Sequence, residues 1–177
     1  MVDTQIREIE VKDYIKDFRD EPRIVGFCKQ CRNYGRLWTC PPFQFDSEEL
    51  LRKLKYALIV ACRFELHESG DALAEMRKVR AQLESRLLEM EKEHGDLAFG
   101  FSGECLHCAD CTRRQGLSCR HPELVRPALE AYGFDICATV SRLFGFELEW
   151  APKGKMPQHI TLVGALFHNS DAGKIFF

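Results

Sequence analysis

The sequence predicts a fold of mixed helix and strand, α/β or α+β, in which helices flank a small mixed sheet and two cysteine-rich loops project from it. Three observations predict it. Residues 56–66 (Tyr-Ala-Leu-Ile-Val-Ala-Cys-Arg-Phe-Glu-Leu) are almost wholly apolar at first, as a central strand covered on both sides is. Between residues 71 and 94, Leu73, Met76, Val79, Leu83, Leu87 and Met90 recur at three- and four-residue spacing, the period of an amphipathic helix. Strand-like and helix-like segments alternate along the rest of the chain. A length of 177 residues suits one domain, spanning 1–177, and is enough to bury a core without staples.

Taken in order, residues 5–15 partly alternate apolar and charged side chains, which predicts a half-exposed strand with a ragged end. Residues 23–27 (Arg-Ile-Val-Gly-Phe) form a short apolar run, predict a second strand, and lead directly into Cys28. Pro41 and Pro42 hold the chain extended and end any helix there. Asp46-Ser-Glu-Glu49 has the form of a helix-capping box, with Leu50, Leu51, Leu54 and Ala57 following on one face. Within the strand at 56–66, Leu58, Val60, Cys62 and Phe64 share one side. Gly95 is the natural stop of the long helix. Residues 97–103 predict another strand, ending at a glycine just before the main cysteine loop. Residues 123–132 predict a helix with proline near its first turn, Gly133 breaks it, and Ile136–Phe144 follows as a second short helix. Residues 158–167 are the last apolar strand. Both cysteine loops are thus expected at strand ends, with the strands at 23–27 and 97–102 near neighbours in one sheet.

Composition narrows the function classes. A formal net charge of -2 gives no general attraction to nucleic acid or to an acidic membrane. No run of eighteen apolar residues exists, and the charged start is unlike a signal peptide, so a cytoplasmic chain is expected. Neither a Ser/His/Asp set, a phosphate loop nor a dinucleotide fingerprint occurs in the context it needs. The nine cysteines are then the feature to explain. An odd number cannot pair completely, and a reducing compartment disfavours disulfides.

Seven of the nine fall in two short clusters. Cys105-x-x-Cys108-x-x-Cys111, with Cys119 seven residues on, wraps one backbone loop around a single centre. Bacterial ferredoxin loops hold three corners of a cubic cluster in this way, whereas a tetrahedral zinc site draws on separated pairs. The stretch therefore reads as an iron–sulfur site, [4Fe–4S] in type, before a zinc site. The other cluster is Cys28-x-x-Cys31 followed by Cys40-Pro41-Pro42. One four-cysteine centre leaves three thiolates for a second, with a position open or filled by another kind of ligand. The expected ligands are Cys28, Cys31, Cys40, Cys105, Cys108, Cys111 and Cys119. His107 and His121 lie beside the second cluster, where they read more simply as polar loop residues than as ligands. Tyr34, Trp38 and Phe43 are either a shield for a cluster or ordinary core aromatics. Lys29, Arg32, Arg36, Arg113, Arg114 and Arg120 are suited to offset the negative charge of a thiolate cluster. Cys62 and Cys137 stand apart and read as core filler.

The pairing of Cys28-x-x-Cys31, Tyr34-Gly35, Trp38 and Cys40-Pro41-Pro42 with the C-x-x-C-x-x-C…C-R-x-P loop has a family likeness. Together with residues 128–135 (Ala-Leu-Glu-Ala-Tyr-Gly-Phe-Asp), it resembles a domain-of-unknown-function family described as predicted metal-binding proteins. The resemblance covers nearly the whole chain. It implies a small cysteine-rich cytoplasmic protein carrying iron–sulfur clusters, with the seven loop cysteines as ligands, and it names no substrate. The expected function is electron transfer, or service to a redox enzyme as an accessory, with a redox protein as partner and neither nucleic acid nor membrane. Two alternatives stand beside it: an enzyme using an open-site cluster on a small anionic substrate, and a zinc-stabilised interaction module.

Overall fold

Strand β2 (Tyr56–Glu65) has no polar side because both of its sides are covered. In the computed structural model of the chain, which describes residues 1–66, 72–94, 97–99, 105–150 and 157–171, β2 lies inside a four-stranded sheet. The other strands are β1 (Val2–Glu10), β3 (Leu97–Phe99) and β4 (His159–His168), in the order β1-β2-β4-β3. Every pairing is antiparallel, with Ile6 opposite Val60, Val60 opposite Gly164, and Ala98 opposite Leu166.

The period-two alternation of a strand divides β2 between two cores. Ala57, Ile59 and Ala61 join Val163, Ala165 and Phe167 of β4 on one face. Helix α1 (Val11–Phe18) covers that face with Val11, Tyr14, Ile15 and Phe18, and α5 (Ile136–Phe144) adds Val140 and Phe144. Leu58, Val60, Cys62 and Phe64 join Leu162 and Leu166 on the other face. There α4 (Ala72–His94) supplies Val79, Leu83, Leu87 and Met90 at helical spacing. Burying each such side chain is worth about 1.5–3 kcal/mol, so the two covered faces supply most of the driving force.

The fold is therefore α+β, and the sheet expected as mixed is antiparallel throughout its described pairings. A continuous apolar run reports burial on both faces and says nothing of strand direction. Three further expectations change. The strand expected at 5–15 ends at Glu10, where Val11, Tyr14, Ile15 and Phe18 take up a helical period. Residues 23–27 belong to a helix, α2 (Glu21–Lys29), and not to a strand. Asp20 caps it by accepting from the Arg23 N–H at 3.2 Å, and Pro22 sits in its first turn. The helix expected at 123–132 is only a 3-10 turn, Leu129–Tyr132, because Pro127 in mid-run cannot donate and collides with the preceding turn. Asp46 does cap a helix, α3 (Ser47–Leu51), by accepting from Glu48 and Glu49. Of the strand expected at 97–103, residues 100–103 lie outside the described residues, as does Gly95. Among the described residues no helix is long and apolar enough to cross a membrane.

Helix α2 positions the first cysteine loop, because it carries Cys28 in its last turn. It is seated on the 3-10 turn by an unusually close approach. Gly133 takes the left-handed conformation at φ +87°, and a Cβ built there would lie 2.6 Å from Cα of Glu21. Around that contact the Asp20 N–H donates to the Gly133 carbonyl at 2.9 Å, and the Asp135 N–H donates to the Phe18 carbonyl at 2.8 Å. The buried Arg19 guanidinium completes the seat, donating to the Tyr132 carbonyl at 2.8 Å, to Ser47 Oγ at 3.1 Å, and to the carboxylates of Glu21 and Glu48.

Gly133→Ala is therefore expected to destabilise the chain by more than about 1 kcal/mol, read as a lower urea midpoint. An unchanged midpoint would show that α2 does not depend on this approach. A second prediction concerns alkaline pH. Burial pushes the Tyr132 phenol up to about 12, and it pushes the Tyr14 phenol up further, although the Thr139 hydroxyl at 3.0 Å opposes this. Both are held neutral in the fold and ionise near 10 when unfolded. Their contribution is thus complete below pH 10 and is lost as pH rises from 10 towards 12 and beyond. A spectrophotometric titration should find that two of the four tyrosines ionise late, together with loss of the far-ultraviolet dichroism.

Candidate metal centre

The first cysteine loop leaves α2 as a chain of tight turns. The Cys31 N–H donates to the Cys28 carbonyl at 2.9 Å, Tyr34 to Cys31 at 3.1 Å, Arg36 to Asn33 at 3.0 Å, and Cys40 to Leu37 at 3.1 Å. Gly35, at φ +67°, donates to the Pro41 carbonyl at 2.8 Å and closes the loop. The Pro41–Pro42 peptide bond is cis. This path brings Cys28, Cys31 and Cys40 to the wall of one cavity of about 320 Å³, with Tyr34 and Glu130 also lining it.

The second loop turns through a 3-10 segment, Thr112–Gln115, which ends at Gly116 with φ +70°. Thr112 Oγ1 donates to the Ser118 carbonyl at 2.8 Å, and Arg120 reaches back to the Asp110 carbonyl at 3.2 Å. These bonds return the chain from Cys111 to Cys119. Cys105, Cys108, Cys111 and Cys119 then all line a second cavity of about 340 Å³, together with His107, His121, Arg114 and Trp38. Among the described residues no three of His, Cys, Asp or Glu converge as they would on a single ion. The thiols are instead spread over the walls of a cavity.

The two cavities adjoin. The half-buried Arg113 of the second loop donates to the Leu37 carbonyl at 2.7 Å and to the carbonyls of Cys40 and Pro42, with its guanidinium 5.2 Å from the centre of the Trp38 ring. In return Trp38 Nε1 donates to the Leu117 carbonyl at 3.2 Å. Buried Asn33 lines both cavities.

The electrostatics follow from crowding thiols out of water. Burial pushes the Cys28 thiol up, and the Glu130 carboxylate, Cys40 and Cys31 push it further. Burial also raises Cys40; the Thr39 hydroxyl and Arg113 oppose the rise, while Cys31 and Cys111 add to it. Cys105 is raised by burial and by Cys111, Cys119 and Cys108, against the His107 backbone N–H. Two N–H groups already point at sulfur, Asn33 at Cys31 Sγ (3.5 Å) and His121 at Cys119 Sγ (3.4 Å). Metal-free, Cys28, Cys40 and Cys105 are biased towards the neutral thiol; a bound cation reverses the sign and makes the thiolate the stable form.

All seven expected cysteines thus line two neighbouring cavities, four in one and three in the other. The loops are not both at strand ends, since the first leaves a helix. Tyr34 lines the three-cysteine cavity and Trp38 the four-cysteine one, but Phe43 packs on Phe45 and Tyr132. His107 and His121 face the second cavity with ring centres 6.5 Å apart. Cys62 is buried in the α4-side core, as expected. Cys137 is exposed in the first turn of α5 and is not core filler. The reading from spacing alone missed Asn33, Thr39 and Glu130, and it assigned Arg113 to charge compensation when its main partners are backbone carbonyls.

Residues 13–167 match the family described as "Predicted metal-binding protein (DUF2284)", and the chain belongs to that family. No curated protein and no solved structure matches it.

Arg113 is the main tie between the loops, so its replacement tests the junction. A lysine has one donor group where the guanidinium fans across three carbonyls. Arg113→Lys is expected to lose about 1–3 kcal/mol of stability and to speed hydrogen exchange at the Gly35 and Cys40 amides. Unchanged exchange at both amides would place the order of the first loop elsewhere.

Proposed function

We propose that the chain is a cytoplasmic iron–sulfur protein that passes electrons to or from a redox partner. In this reading Cys105, Cys108, Cys111 and Cys119 hold a [4Fe–4S] cluster, and Cys28, Cys31 and Cys40 hold a second centre with one position not filled by a cysteine of that loop. The observation that carries the reading is the shared cavity of the four C-x-x-C-x-x-C…C thiols, directly beside that of the other three. Membership of a family of predicted metal-binding proteins supports a metal in general. Iron and the cluster type are our own reading of the thiol spacing and the cavity.

A cluster of this kind would supply a one-electron couple. The protein's part is to hold and tune it. The Asn33 and His121 N–H groups approach sulfur and would draw off negative charge, which raises a potential. Arg114 and Arg120 line the four-cysteine cavity and add positive charge there. Asn33 and Trp38 lie where the two loops meet, Asn33 on the wall of both cavities and Trp38 donating across to the Leu117 carbonyl.

Protein prepared without oxygen is expected to be brown, to contain iron and acid-labile sulfide in equal amounts, and to bleach with dithionite. Stoichiometric zinc in a colourless preparation would overturn the reading in favour of the interaction module. Cys108→Ala is expected to lose metal and stability together, because binding energy at such a site is also folding energy. Cys62→Ala should keep its metal and lose about 1–2 kcal/mol of packing. Retention of metal by Cys108→Ala with loss by Cys62→Ala would refute the ligand set.

A further inference from the structure

The largest cavity described in the molecule is a third one, of about 790 Å³, bounded by α2, the start of α5 and β4. That is within the range of pockets that hold small organic molecules. Its surface is mainly apolar: Ile24 and Phe27 on α2, Ile136 on α5, Val163 on β4, and Trp150 at the rim. Phe27 and Trp150 are 62% and 78% exposed, so two large aromatic side chains stand in solvent at the edge of one hollow. Most of its polar groups already have partners within the protein. Arg23 is paired with Asp20 and Asp135, and Glu149 accepts from Arg63 and from both the N–H and Nδ1 of His159. The Thr161 hydroxyl is a neutral polar group on the wall.

We propose that this cavity binds a small, neutral molecule with an aromatic body, against the wall that carries Cys28. Its polar wall does not call for an anion: the two basic side chains among the described lining residues, Arg23 and His159, are each already set against carboxylates, Arg23 against Asp20 and Asp135 and His159 against Glu149 and Glu65. A carboxylate moved there from water would be desolvated beside groups of its own sign. Its placement follows from shared walls. Phe27, Cys28 and Glu130 line both this cavity and the three-cysteine cavity, so an occupant lies next to the centre whose thiol set is incomplete. Binding does not depend on the iron–sulfur reading. The neighbouring effect on a metal centre does rest on it.

The test is anaerobic calorimetry with 2-naphthalenemethanol as the neutral probe and 2-naphthoate as its anionic counterpart. Saturable binding of the alcohol to one site is expected, with naphthoate at least about tenfold weaker. Cys137→Trp, which places an indole in the cavity from the first turn of α5, should abolish it. Trp150→Ala, at a residue exposed enough to spare the fold, should weaken it. The absence of saturable heat, equal affinity for naphthoate, or full binding by folded Cys137→Trp protein would each overturn the site. On the same sample, electron paramagnetic resonance of the dithionite-reduced protein should shift when the alcohol is added. Binding without that shift, in protein whose iron content shows both centres filled, would overturn the placement beside Cys28. Protein that lacks iron but binds the alcohol would instead sink the iron–sulfur reading and leave the cavity standing.

Discussion

The antiparallel pairing of β2 with β4 is the constraint on which the other elements depend. The two strands satisfy each other's backbone groups, present apolar side chains on both faces, and so require cover from both directions. Helices α1 and α5 supply one cover and α4 the other. His168, fully buried at the end of β4, is the polar exception, with Nε2 3.4 Å from the Glu8 carboxylate and its ring 5.7 Å from that of Tyr56. What this arrangement leaves out is the pair of cysteine loops. Neither contributes a residue to the buried part of either core apart from the packing of Phe43 at its fringe. The loops are held by one another, through Arg113 and Trp38, and by the seat of α2 on Gly133.

Where one physical signal acts alone, the fold was legible in the sequence. The stripe from Val79 to Met90 specifies a helix because nothing else produces that period, and Leu73, at its exposed end, shows the stripe stops short of the first turn. Misreadings arose where two signals overlapped. The alternation through residues 5–10 continues by chance into Val11, hiding the helical period that begins there. The apolar run at 24–27 looked like a strand, although Asp20-Glu21-Pro22 just before it is a helix start. In residues 123–132 the apolar spacing was helical, and Pro127 prevailed over it.

The site was legible to the level of its cysteines and no further. Thiol spacing is a local property, and the return of the chain from Cys111 to Cys119 is encoded nearby in Thr112 and Gly116. The junction between the loops is not local. Arg113 meets the Leu37, Cys40 and Pro42 carbonyls across more than seventy residues, and carbonyls carry no mark in a sequence that they await a donor. Glu130 is hidden for the same reason, since it reaches the cysteines only because α2 is drawn onto the 3-10 turn. Cys137 escaped because a lone thiol in an apolar segment is usually buried, whereas this one is at the end of its helix and faces a cavity.

That junction also bears on how the two thiol sets behave together. The charge of Cys111 is felt at Cys40, so the sets repel one another as well as themselves. Arg113, which lowers the Cys40 thiol, offsets part of this rise. The same guanidinium donates to the Leu37, Cys40 and Pro42 carbonyls, so the group that moderates the repulsion between the loops is also the group that ties them, and neither role is visible in one loop alone.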